Sequence, residues 1–156
     1  MEGCSLGLVL HLRGCPVTLP GCALALLLAP RAEVGLAAVY GFAGDRYDNG
    51  HWACRAVLQH QLGRGGWQRA LARGIAHRTL PCGTQVELYD LRSQRHTSAV
   101  IVDRGPHGQV LPSGRWTARR QLLPGARWRG IVDLLPPVAR RLGLTGLDPV
   151  IVEVLR

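Results

Sequence analysis

Residues 97–106 read Thr-Ser-Ala-Val-Ile-Val-Asp-Arg-Gly-Pro, a fully apolar run that stops on a carboxylate and a turn. Such a run reads as a strand, and Arg104-Gly105-Pro106 ends it abruptly. Just upstream, Gln-Val-Glu-Leu-Tyr at 85–89 alternates polar and apolar residues, as a half-buried strand does. Residues 91–95 turn the chain between them, so the pair predicts a hairpin whose end delivers Asp103. Working outward, two further strings place a titratable group at a strand-to-turn junction. Ala-His-Arg-Thr-Leu-Pro-Cys-Gly-Thr at 76–84 sets His77 before a Pro-Cys-Gly turn, and Gly-Ile-Val-Asp-Leu at 130–134 sets Asp133 just before a predicted helix. Strand ends are where a rigid scaffold presents side chains to a cleft.

The remaining segments are short. Residues 136–143 predict one helix, with proline in its first turn, arginines in its last and Gly143 as its C-terminal cap. Residues 149–155 predict a closing strand with Val150, Val152 and Val154 on one side. Residues 45–50 are turn-rich. Residues 53–72 have scattered apolar positions interrupted by Gly63-Arg64-Gly65-Gly66 and read as an inserted loop. Residues 107–129 are rich in Gly, Pro and Arg, carry Trp116 and Trp128, and are too long for a hairpin turn. Many short strands with one helix argue for a small β-barrel, which composition alone does not separate from an OB-fold.

The three strings, in this order, resemble the RlpA-like double-psi β-barrel family of bacterial cell-wall proteins, which includes lytic transglycosylases and is distantly similar to expansins. The resemblance runs from about Val39 to the C-terminus, with Val39-Tyr40-Gly41 similar to the family's opening Trp-Tyr-Gly. It implies a mainly β fold, a small six-stranded double-psi β-barrel with one or two short helices. It also implies that Asp103 and His77 belong to a catalytic site. In related double-psi barrels the position of Asp133 matches the general acid. Tyr40, Arg104, Trp116 and Trp128 are the residues suited to hold a sugar. Two departures stand out: no Asp or Glu occurs between Asp48 and Glu87, where active members carry one, and Leu135 replaces the family's Ser. Either Asp45 or Asp48 supplies that carboxylate, or the protein binds glycan without cleaving it.

The 156 residues fit one domain, and 47% hydrophobic residues suffice for a core. Residues 1–38 differ in character: two apolar stretches end in Ala37-Ala38 and read as an export leader, too short to span a bilayer comfortably, leaving residues 39–156 as the barrel domain. Leu19-Pro20-Gly21-Cys22 has a faint likeness to a lipoprotein box, though an apolar run rather than a polar tether follows it. Of five cysteines, removal of the leader leaves Cys54 and Cys82, an even pair that reads as a disulfide in an exported domain or as two buried thiols in a cytosolic one. The net charge of +9 comes from arginine alone and favours anionic partners. The arginines are scattered, in pairs at most, without a basic run, which argues against nucleic acid. No cofactor, metal or transmembrane segment is expected, and a monomer is.

Breaking a glycosidic bond needs an acid for the departing oxygen and a group that handles the sugar C1. A lytic transglycosylase uses the sugar's own 6-hydroxyl instead of water, so one residue serves first as acid and then as base. Each candidate also has a structural reading: Asp103 as an ion-pair partner of Arg104, Asp133 as a helix cap, His77 as a turn organiser. His51, His60, His96 and His107 match no motif. The resemblance therefore implies an exported peptidoglycan lytic transglycosylase-like enzyme. The alternatives are an expansin-like binding or wall-loosening module and a cytosolic nucleic-acid-binding barrel.

Overall fold

The computed structural model describes residues 32–41, 45 and 50–155. The chain is mainly β: six strands close into a mixed barrel in the order β1-β8-β2-β4-β3-β9, joined by two helices. The strands are β1 (Ala32–Val39), β2 (Gly74–His77), β3 (Gln85–Asp90), β4 (His96–Asp103), β8 (Val132–Leu134) and β9 (Asp148–Val154). Helix α1 (Arg55–Leu71) joins β1 to β2, and α2 (Pro136–Leu142) joins β8 to β9. Two pairs, β1·β8 and β2·β4, are parallel and the other four antiparallel, a connectivity compatible with a double-psi barrel.

The hairpin of β3 and β4 forms as the sequence predicts, with Gln85 opposite Val100 and Tyr89 opposite His96. The apolar run on β4 has a simple cause. Ala99, Val100, Ile101 and Val102 are all buried, because one face looks into the barrel and the other lies under the helices. Helix α2 also matches: Gly143 caps it at φ 76°, its N–H returning to the carbonyls of Ala139 and Arg140.

Three expectations are corrected. Residues 53–72 are a helix rather than an inserted loop. Gly63 (φ 66°, ψ 176°) breaks it locally, but Leu58, Trp67 and Ala70 on either side are buried and hold both halves on the barrel. Tertiary packing overrides the weak local propensity of the glycine run. Residues 107–129 fold into a three-stranded sheet in the order β6-β5-β7, with β5 (Gly108–Val110), β6 (Trp116–Ala118) and β7 (Arg127–Trp128). Gln109 is fully buried under it. Its side-chain amide donates to the carbonyls of Arg119 and Gln121 and accepts from Leu123 N–H, so one polar residue organises the whole loop. Finally, the barrel includes residues 32–38, ahead of Val39. They pair along β9 and β8, and Ala37 is fully buried, so they form part of a barrel strand. The rest of the leader read in residues 1–38, including the lipoprotein box, falls in residues 1–31 and lies outside the described residues.

Cys54 and Cys82 form a disulfide, with their Cα atoms 5.4 Å apart. It fastens the start of α1 to the Pro-Cys-Gly turn after β2. Among the described residues no helix is long and apolar enough to cross a membrane.

Candidate functional site: a carboxylate cleft on the barrel wall

The register of four adjacent strands builds the site. Ala38 on β1 pairs with Asp133 on β8, Asp133 with Ala76 on β2, and Ala76 with Asp103 on β4, so the four fall in one row. A bulge between Ile75 and Ala76 sets the last step: without it Ala76 would face Val102, and with it Asp103 comes into line. Side chains of directly paired residues share a face. The row therefore presents two carboxyls over small alanines. Their backbones are roughly 9.5 Å apart, two inter-strand spacings.

This row floors a cleft of about 720 Å³ that Asp45, Asp103 and Asp133 all line. Arg104, Arg119, Arg120 and Arg129 line it too, as do the aromatic residues Tyr40, Trp52 and Trp116. Trp116 is 41% exposed, at the rim. Tyr40 packs against Trp52 with ring centroids 6.0 Å apart. Asp45, one of the two candidates for the carboxylate upstream of His77, lines the cleft, and its Oδ2 accepts the Gly41 N–H at 2.9 Å. Asp48 lies outside the described residues.

The two acids differ in setting. Asp103 Oδ1 accepts the Ala53 N–H at 2.8 Å, beside the disulfide-bonded Cys54. Asp133 is enclosed instead. Gly105 lies beside it, where an added Cβ would come into van der Waals contact with Asp133 Oδ2 at 3.4 Å and Ala76 Cβ at 3.6 Å. Desolvation pushes the Asp133 carboxyl up from an ordinary 3.8 to about 7. Asp45 and Asp103 add to the rise by repulsion, while Arg78 and Arg129 oppose it. Asp133 does not cap α2, whose N-cap is Leu135.

His77 is corrected. It is 2% exposed and does not line the cleft. Strand alternation explains this: Ala76 occupies the cleft face opposite Asp133, so His77, opposite Val132, turns to the other face with Ile75. Its Nδ1 accepts the N–H groups of Thr79 and Leu80 at 3.3 and 3.1 Å, and Nε2 lies 3.2 Å from Glu33 Oε2. The imidazole organises its own turn. Burial holds its pKa below the usual histidine range despite the Glu33 hydrogen bond.

Trp128 does not line the cleft either but lies under the Arg78 guanidinium, which is 4.8 Å from its ring centroid. Arg78 was not singled out from the sequence. It donates to the carbonyls of Pro106 and Gly130, joining the turn after Asp103 to the strand that carries Asp133. Gly130 is required there, because an added Cβ would stand 2.8 Å from the Leu36 carbonyl oxygen. Arg104 lines the cleft but does not pair with Asp103. Its guanidinium donates to the Leu80 carbonyl and lies 3.6 Å from Cys82 Sγ. Among the described residues no group of three or more His, Cys, Asp or Glu is arranged to hold a metal ion. Comparison with protein-family models and with curated proteins finds no match to this chain.

Proposed function

We propose that this protein is an exported, RlpA-like cell-wall glycan-active enzyme that cleaves peptidoglycan strands by acid/base chemistry, in the manner of a lytic transglycosylase. The observation that carries the reading is Asp133, a carboxyl with a pKa of about 7 facing an open cleft beside two other carboxyls. A carboxyl that keeps its proton near neutrality is what a general acid needs. Asp133 protonates the glycosidic oxygen as the bond from C1 breaks. The 6-hydroxyl oxygen of the same sugar then bonds to C1, and its proton returns to the Asp133 carboxylate, leaving a 1,6-anhydro product. Asp103 faces the positive charge that develops at C1. Tyr40, Trp52 and Trp116 offer faces for sugar rings, and the arginines offer donors to their oxygens. The disulfide supports export, since such bonds persist in oxidising compartments.

One observation favours the expansin-like alternative. His77, which the family resemblance places in the site, is turned away from the cleft and occupied by its own turn. A protein that grips glycan without turning it over would need only the aromatic and arginine walls. The test is incubation of the protein with intact and peptide-stripped peptidoglycan, followed by mass spectrometry. Anhydro-muropeptides or anhydro-sugars are the expected products. Firm binding to sacculi with no product would replace the enzyme by the binding module, and neither binding nor product would overturn both.

A further inference from the structure

His107 follows the Asp-Arg-Gly-Pro turn directly and lines the cleft that holds Asp103 and Asp133. Its position is fixed by two contacts. The backbone carbonyl accepts the Arg119 N–H at 3.0 Å. The ring centroid is 6.5 Å from that of Trp128, which is itself held under Arg78. Nδ1 is buried and has no hydrogen-bond partner among the described residues.

That last feature sets the tautomer. A proton on Nδ1 would be a buried donor with nothing to accept it, and orphaned donors are rarer in proteins than under-used acceptors. The proton therefore belongs on Nε2, the nitrogen that is not shut away and has no protein partner among the described residues. We propose that His107 is a substrate-binding residue whose Nε2–H donates a hydrogen bond to a hydroxyl or ring-substituent oxygen of the glycan seated over Asp133. This rests on the glycan reading of the cleft. The charges around the ring agree with it: burial, then Arg120 and Arg78, hold its pKa below the usual histidine range, against the pull of Asp103. The ring thus offers a single uncharged donor, so it orients a neutral oxygen without competing with Asp133 for the proton.

The experiment combines His-selective ¹⁵N NMR of the protein with binding of a peptidoglycan tetrasaccharide. The free protein should show His107 as the neutral Nε2–H tautomer at pH 7, and the tetrasaccharide should shift its Nε2 resonance. His107→Phe keeps the ring volume against Trp128 and should weaken binding roughly fivefold to tenfold, the loss of one hydrogen bond. His107→Gln retains a donor and should recover most of that affinity, with near-UV circular dichroism unchanged in both. An Nδ1–H tautomer, an imidazolium at pH 7, or undiminished binding by the Phe variant would overturn the role of His107 while leaving the glycan reading intact. A wild-type protein that binds no tetrasaccharide would overturn the glycan reading and this inference with it.

Discussion

Strands β2 and β8 carry two unlike surfaces on alternate residues. On one face Ile75, His77, Val132 and Leu134 are buried and close-packed. On the other, Ala76 and Asp133 meet the cleft, with Ala38 and Asp103 completing the row. The first face uses bulk to exclude water and fix the barrel. The second uses small residues to leave room and places Asp133 where burial in the barrel wall desolvates its carboxyl. A shift of one residue in register would exchange the two sets. Histidine and aspartate are equally titratable, yet of His77 and Asp133 only the aspartate faces the cleft, because position in the alternation outranks residue type.

The comparison breaks most sharply at Asp133. Asp133→Asn should lower glycan cleavage by about 10²- to 10⁴-fold, the usual worth of a proton-transferring group, while the fold stays intact. Its stability should rise with a definite pH dependence. Because the folded pKa of about 7 exceeds the ordinary 3.8, the native state binds more protons across that window and loses stability as pH rises through it. The Asn variant escapes this loss. It should match wild type near pH 4 and exceed it above pH 7 by on the order of 2–4 kcal/mol, read from urea unfolding at both pH values.

On the packed face, Leu134→Ala should cost about 2–5 kcal/mol by cavity formation, with a lowered urea midpoint. Any cleavage by the fraction still folded should keep the wild-type pH profile. A changed profile would mean that the two faces are not independent. Replacing both Cys54 and Cys82 by Ser should cost about 3–4 kcal/mol for a closed loop of this length, and should also loosen the Ala53 N–H that contacts Asp103. The smallest effect belongs to His77→Gln. Loss of an acceptor for two amides should cost about 1–3 kcal/mol of stability. Cleavage at a temperature where the variant stays folded should fall less than tenfold. A loss as large as that of Asp133→Asn would return His77 to the chemistry.

The strand that ends at Asp103, its hairpin partner and the C-terminal helix were legible because each is local: an apolar run, an alternation and a Pro-to-Gly helix frame. The paired cysteines were legible from their number once the leader was set aside. The rest depended on contacts remote in sequence. β1 was read as leader because small and apolar residues suit both an export signal and a barrel strand, and only pairing with β9 separates the two. The bulge that aligns Asp103 with Ala76 leaves no mark on composition. His107 matched no motif, since its buried nitrogen and its place in the cleft depend on strands β1, β2, β4 and β8, brought together from distant parts of the chain. Arg78 lay in a quoted motif, but its two carbonyl partners are 28 and 52 residues away.

The most direct test of the account is a titration of the Asp133 carboxyl itself. In protein labelled with ¹³C at aspartate side-chain carboxyls and assigned by comparison with Asp133→Asn, the Asp133 resonance should titrate with a midpoint near pH 7. The acid-dependent limb of glycan cleavage should follow the same midpoint. A midpoint close to the ordinary 3.8 would contradict the account, because Asp133 would then enter the cleft already ionised and have no proton to give.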